Sequence, residues 1–453
     1  NAWAHAGTDT LTVSGGGTFS GTISGGNGST IQAIALAVSG GTLTLSGAGA
    51  NSYAGDTTVN GGVLLLSKAA SDGAIAAGNI IINSGATLRL GASSQISNSI
   101  TSFTINNGGT FDLDAYIEGI SPAVTMHGGT ITGSAGFFIA YNGYTGDGIN
   151  TISKRIAVRA ANPNSGRFNI TGGTTTVSGA IYSDNSTVQG ITKSGSGTLI
   201  LSGTNTYTGA TTISAGALTW GVNNAFPVTD FSVGNATLNL ATYTNKPVGT
   251  LDVTSTAFIN LGVGAKLSFA DSSAIDWTGG TIDIMGTFVS GSSLRFGTTA
   301  NGLTPTQLAK ITANGVVSFA LNSSGYLVTN AAPVVGGYSA WATASGISGV
   351  VMTDDSDGDG RNNLLEYALN GNPTSAGDTN QPTFIRTGST FQYVHLRRND
   401  DANLIYTLET TTNLLSGPWT TSAAGATTNV LGGAYDSVTR TISPTNARTF
   451  IRL

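Results

Sequence analysis

Two stretches of this chain say nearly the same thing. Gly41 to Leu64 reads GTLTLSGAGANSYAGDTTVNGGVL, and Gly195 to Leu218 reads GSGTLILSGTNTYTGATTISAGAL. Both run Gly-Thr-Leu-x-Leu-Ser-Gly, then Asn-x-Tyr-x-Gly, then Thr-Thr-(Val/Ile), then a small-residue turn and Leu. From Tyr53 to Leu64 and from Tyr207 to Leu218 the spacing is identical. A repeated unit of this size cannot bury its apolar face alone, and does so by stacking on its neighbours. A β-sandwich or barrel also uses short strands between glycine turns, but it has no reason to return Asn-x-Tyr-x-Gly at fixed offsets.

Fainter copies extend the pattern to about Asn330. An asparagine or glycine turn is followed by Gly-x-Thr and alternating apolar residues. The threonines after the turns are Thr18, Thr42, Thr87, Thr110, Thr130, Thr151, Thr174, Thr198, Thr237 and Thr281, with Val63 and Ala217 in the same place. The spacing becomes irregular around Gly262–Phe269. A period of roughly 22 residues matches one turn of a parallel β-helix, with about three short strands per coil. About 12–13 coils at roughly 4.8 Å each would build a solenoid on the order of 60 Å long. Alternation such as Thr42-Leu43-Thr44-Leu45 or Thr87-Leu88-Arg89-Leu90 points the leucines inward and the polar residues outward.

The residues of the two strong copies closely resemble the autotransporter-associated β-strand repeat of bacterial secreted passenger domains. That resemblance implies export and a β-helical stalk, and implies no reaction.

The composition agrees with a stacked, uncharged architecture. Glycine supplies 65 residues and charged residues only 9%, where roughly a quarter is usual. A net charge of -5 over 453 residues argues against nucleic acid or an anionic membrane as partner. It also leaves little repulsion against self-association. Cysteine is absent, which a long stacked core tolerates. No apolar run reaches the length of a membrane helix. Opening at Asn1 without a signal peptide fits an exported product already cleaved, at the cell surface or outside it.

Past Asn330 the composition shifts. Residues 331–453 carry 17 of the 41 charged residues. Pro333–Gly337 reads as a linker, and residues 331–376 as a linker with a helical segment. Tyr338–Ala344 reads as a short helix, and so does Asn362–Leu369, stopped by Asn370-Gly371. From 377 to 453 the pattern returns to strands, at Thr383–Arg386, Phe391–Leu396, Leu404–Glu409, Val438–Ile442 and Thr449–Leu453. These predict a small antiparallel β-sandwich. The fold class expected is therefore all-β: a solenoid over 1–330, a calcium-loop helical segment, and a sandwich.

The sharpest motif lies in that helical segment. Asp355-Ser-Asp357-Gly-Asp359-Gly360-Arg361-Asn362-Asn363-Leu-Leu-Glu366 meets the D-x-D-x-D-G-x5-E pattern of a calcium loop at every position. Asp355, Asp357 and Asp359 would give side-chain oxygens, and Gly360 the sharp turn. Arg361 would give its carbonyl, Asn363 a direct or water-bridged contact, and Glu366 a bidentate carboxylate. Hard oxygen donors at this spacing suit Ca2+. One such loop alone points to a structural clip. The run from Trp341 through Glu366 resembles the EF-hand-like or thrombospondin-type calcium segment near the C-termini of large exported bacterial repeat proteins.

Catalytic patterns are thin. His5, His127 and His395 stand apart, and no Gly-x-Ser-x-Gly elbow or cysteine nucleophile exists. Turns such as Gly25-Gly26-Asn27-Gly28 lack the following helix and lysine of a phosphate loop. Asp112 and Asp114 fall two apart on a predicted strand, with Glu118 nearby. They would form either a carboxylate pair or a solvated acidic edge. Lys154, Arg155, Arg159 and Arg167 form the one cationic cluster, open to acidic surface glycans, or else a solvated loop or a run that meets acidic groups of a neighbour. Tyr53 and Tyr207 could stack on sugars, but recur with the repeat and so belong at a coil corner. The functional expectation is an extracellular, non-enzymatic protein assembling head-to-tail with itself into a filament or surface layer. The alternatives are a monomeric adhesin-like stalk and, behind it, a glycan-active enzyme.

Overall fold

The computed structural model describes residues 7–25, 33–184, 188–313, 318–329, 337–377, 380–388, 390–401, 403–415, 417–422, 425–431, 434–443 and 449–452. The expectations for Asn1–Ala6, His5, the turn at 26–28 and most of the 333–337 linker fall outside them. The chain divides into two compact units, Asn1–Thr329 and Asn330–Leu453.

The first unit is a parallel β-solenoid of about 12 turns. Two faces run its length as continuous parallel ladders. One begins with Thr8–Val13 paired to Ala33–Val38, and the other with Gly17–Phe19 paired to Thr42–Leu45. The third strand of each coil forms only in places, such as Glu118–Ile120, Phe138–Ala140, Ile156–Val158 and Ile181–Ser183. Alternation sets the inside and outside as read from sequence: Thr42–Leu45 and Ala86–Leu90 bury every other residue, and Arg89 is exposed.

Side chains in register stack into columns. Leu43, Leu64, Leu88, Phe111, Ile131, Ile152, Val177, Leu201 and Trp220 are successive Cα partners, and all are buried. The apolar transfer of each such side chain stabilises by roughly 1.5–3 kcal/mol, so the column is the backbone of the unit's stability.

Register departs from the simple threonine alignment at three steps. Thr42, Val63, Thr87, Thr110, Thr130 and Thr151 do stack, and so do Thr174, Thr198, Ala217 and Thr237. Between the two series, however, Thr151 pairs with Thr176 and not Thr174. Likewise Thr18 pairs with Thr44, and Thr281 with Thr256. Each slip is by two residues, the one size that keeps inward residues inward.

At the corners, Gly41 and Gly62 adopt φ of 64° and 68° and stack so closely that a Cβ on Gly62 would collide with the Gly41 carbonyl. Both requirements select glycine. At the far end of the solenoid the coil pattern changes. Helix α1 (Pro305–Leu308) starts in a complete capping box between Thr304 and Gln307. The antiparallel hairpin Phe319–Leu321/Leu327–Thr329 then ends the parallel pattern.

In the second unit, α2 (Tyr338–Ala344) and α3 (Asn363–Leu369) match the expected helices. Tyr338, Ala342, Ile347 and Tyr367 form their common core. Two small antiparallel sheets follow. One contains Thr383–Thr387, Thr390–Arg398, Tyr435–Ile442 and Ala426–Val430; the other contains Thr420–Thr421, Glu409–Thr411 and Phe450–Arg452. The strand expected at Leu404–Glu409 begins only at Glu409. Residues ahead of it are drawn to α3 instead: Leu404 packs on the helical core, and the Tyr406 hydroxyl donates to the Ala368 carbonyl at 2.8 Å. The strands at 420–421 and 426–430 were not expected, because their threonine- and alanine-rich residues carry almost no apolar alternation.

Candidate metal centre

Helix α3 fixes one wall of the candidate centre. Its N-cap Asn362 accepts from Leu365 N at 2.9 Å, and Asn370 closes it in the left-handed conformation, φ 62°. Ahead of it the chain folds back on its own aspartates. Asp355 accepts from the backbone N–H of Gly358 at 2.8 Å and Gly360 at 2.9 Å, Asp357 from Asp359 at 3.2 Å, and Asp359 from Arg361 at 2.7 Å. Gly358 and Gly360 take φ of 77° and 90°, open to glycine at little cost. The N–H of Gly360 leads in holding the Asp355 carboxyl below the usual carboxylate range.

The loop gathers three of the six expected ligands. Carboxylate oxygens of Asp355, Asp357 and Asp359 lie within 4.8 Å of one another. Asn363 is fully buried, its amide N–H bonded to Val351 O at 3.2 Å, and its Oδ1 has no hydrogen-bond partner. Asp357 Oδ2 is likewise buried without one. Glu366 is buried on α3 but is not among the carboxylates that converge. Arg361 turns its guanidinium onto Asp359, Nε to Oδ2 at 3.2 Å. An all-oxygen set with two orphaned buried acceptors has the chemistry of a hard divalent cation site.

The other polar residues singled out from sequence have structural partners. Asp112 pairs with Arg89 at 2.7 Å, one coil away. Asp114 is not on the strand but in the turn after it, φ 44°. Glu118 opens another strand and is buried. The three are therefore not carried on one strand, although the sequence spacing suggests one for Asp112 and Asp114. Lys154 is buried, its ammonium donating to the carbonyls of Asp114, at 2.6 Å, and Ala135. Arg155 lies over the Tyr182 ring at 4.5 Å, and Arg159 pairs with Asp184. His127 contacts Asp147 at 2.8 Å, and His395 is buried with its pKa lowered by burial.

Tyr53 and Tyr207 lie inside the core and not at a sugar-facing surface. Asn51 Oδ1 accepts from Ile23 N in the coil before, and its Nδ2 donates to Ala74 O in the coil after, at 2.9 and 2.8 Å. Asn205 repeats this with Ile181 N and Ala225 O at 2.8 and 2.6 Å. The repeat asparagine is thus a rivet through three coils.

Sequence reading passed over Lys68 and Lys193, and it placed Lys154 and Glu118 at the surface where the structure buries them. Lys68, Lys154 and Lys193 are buried in the solenoid. Lys193 stands in an inward column between Phe168 and Ile213 and donates to the carbonyls of Ser194, Gly195 and Ala215 at 2.8, 2.7 and 3.1 Å. Glu118 accepts from Gln95 N and Ile96 N at 2.7 and 3.2 Å, while the Gln95 amide bonds the backbone of Lys68. Burial lifts Glu118 to a pKa of about 8. A lysine where the pattern demands an apolar residue was the one available signal.

With this geometry in hand, comparison with known proteins adds one likeness. Residues 39–66 and 191–219 match the family model described as Passenger-associated-transport-repeat. These segments hold both Asn-x-Tyr-x-Gly motifs. No curated protein and no solved structure matches the chain.

Proposed function

We propose that this chain is an exported, non-catalytic stalk, extracellular or at the cell surface, whose copies join head-to-tail. The single observation behind the joining is the exposed edge of the first described coil. Leu11 and Phe19 are the first described members of inward columns, with Leu36 and Leu45 as their next partners, and they are 44% and 40% exposed. Among the described residues no strand pairs the outer edge of Thr8–Val13 or Gly17–Phe19. An edge of this kind is a template for one more strand.

The matching element is an open sheet edge on a second copy. In the C-terminal unit, Thr383–Thr387 pairs on one side only among the described residues and exposes Phe384 and Ile385 at 54% and 49%. A strand from one copy laid on the first coil of the next is a heterologous contact, which propagates as a filament. In the same reading Ca2+ is a structural clip, held by Asp355, Asp357, Asp359 and Asn363, with the Arg361 carbonyl and with Glu366 drawn in from α3. The passenger-repeat likeness supports export and the stalk role, and it equally favours a stalk that stands alone as an adhesin.

Sedimentation velocity separates the two. Wild-type chain should sediment as concentration-dependent oligomers and Leu11→Lys as monomer with an unchanged melting temperature. Monomer for both proteins would leave the solitary stalk.

A further inference from the structure

The solenoid wall carries a groove of about 490 Å³ that no repeat-based role uses. Its floor comes from the turns ahead of four strands that pair in succession: Ser102–Ile105, Val124–His127, Tyr144–Asp147 and Arg167–Ile170. Asn98, Ser121, Asn142 and Asn164 occupy those turns. Three of them are tied coil to coil, Asn142 Nδ2 donating to Ser121 O at 2.8 Å and Asn164 Nδ2 to Asn142 Oδ1 at 3.3 Å. The lining therefore steps along the solenoid axis at one coil, roughly 4.8 Å, per side chain.

An insertion walls the groove. Residues 159–166 leave the coil path as a tight excursion closed by the Arg159–Asn162 bridge. It is stapled in place by Ser165 Oγ accepting from Arg159 N at 2.9 Å and by Gln189 Nε2 donating to Pro163 O at 3.0 Å. Insertions in solenoids collect on the face that binds. Tyr141 supplies the one aromatic ring. It lies against Gly119, where any Cβ would collide with the phenol, so a glycine keeps the ring in position.

We propose that this groove binds a neutral oligosaccharide. The Asn142 and Asn164 amides are spent on each other, on Ser121 and on Arg167. The amides of exposed Asn98 and half-buried Asn162 offer a donor and an acceptor side by side, the pattern that vicinal hydroxyls complement, and the half-buried tyrosine offers an apolar face with a polar tip. Among the described residues the one cation of the lining, Arg159, is already engaged by Asp184 at 2.5 Å, so these residues form no phosphate clamp. Nor do they form an apolar wall for a lipid. Among the described lining residues there is no carboxylate, and Asp184 behind Arg159 is held in its ion pair, so the proposed role is binding. This site is independent of the end-to-end joining, because single and joined copies would carry it alike.

The test is calorimetric or NMR titration of the full chain with neutral cello-, xylo-, malto- and chito-oligosaccharides. At least one series should bind with affinity rising with chain length over a few rings. Tyr141→Ala should weaken it by about tenfold or more, the equivalent of about 1.4 kcal/mol. Asn98→Arg, which fills the groove from an exposed turn without touching packing, should abolish it while leaving the melting temperature unchanged. Absence of binding across all four series would overturn the proposal. So would binding that survives Asn98→Arg.

Discussion

The hydroxyls of Tyr207 and Thr211 meet at 2.7 Å inside the solenoid, and those of Tyr53 and Thr57 meet at the same distance. Each pair is buried from water, so each hydroxyl depends on the other for its hydrogen bond. Burial accordingly raises both tyrosine pKa values, with the threonine bond acting against it. The relation explains why the repeat spells Tyr-x-x-x-Thr. The ring fills the corner, and the threonine four residues on answers its polar tip.

Tyr207→Phe should therefore cost more than a lost oxygen suggests. It strands Thr211 Oγ1, a penalty of about 1–3 kcal/mol for an unsatisfied buried group. Tyr207→Ala should cost about 3–5 kcal/mol through the cavity. Denaturant unfolding followed by circular dichroism measures both, and the double change Tyr207→Phe with Thr211→Val should recover part of the loss. Equal stability for Tyr207→Phe and wild type would contradict the pairing.

Glu118 predicts a pH dependence of definite sign. Its carboxyl ionises at about 8 in the folded chain, against an ordinary value of 4.5, with desolvation the leading cause and the N–H groups of Gln95, Gly119 and Ile96 opposing it. Below the ordinary value both states hold the proton and stability is full. As pH rises the unfolded chain releases its proton first, so stability falls across this window and levels off above about 8. Glu118→Gln keeps an acceptor for the same N–H groups and stays neutral. Its melting temperature should decline less than that of wild type between pH 5 and pH 8. Parallel curves would show that Glu118 ionises normally.

The calcium loop makes a third prediction. Calorimetric titration of the full chain with Ca2+ should give one site, and saturating Ca2+ should raise the melting transition of residues 330–453, since a ligand bound only by the folded state stabilises it. Asp357→Ala should remove both effects, while Asn363→Asp should retain binding. Because Glu366 stands apart from the three converging aspartates, its engagement should appear as a change in the environment of the Tyr338, Trp341 and Tyr367 cluster, in which Tyr367 of α3 packs against Tyr338 and Trp341 of α2. Titration without heat and without a fluorescence change at Trp341 would remove the site.

What the sequence showed and what it hid divide along a physical line. Period and alternation are backbone properties, so the solenoid, the inward leucines and both C-terminal helices were legible from Leu43, Leu64, Leu88 and the Asn370-Gly371 stop. The three aspartates were legible because a loop ligand set is local in sequence. Lys193 was not. It sits in a core column because three carbonyls from two corners converge on its ammonium, and that convergence exists only after stacking. The pairing of Asp112 with Arg89 and the separation of Asp114 and Glu118 are set by which turn follows which strand, a matter of one or two residues that pattern does not resolve. The groove at Asn98, Ser121, Asn142 and Asn164 is assembled from four coils, so no single stretch announces it.

Electron microscopy of the purified chain, in Ca2+ and in chelator, tests the central claim most directly. Regular filaments whose axial repeat equals one subunit, lost in Leu11→Lys, are the result this account predicts. Dispersed single particles at high concentration, unchanged by the substitution, would contradict it.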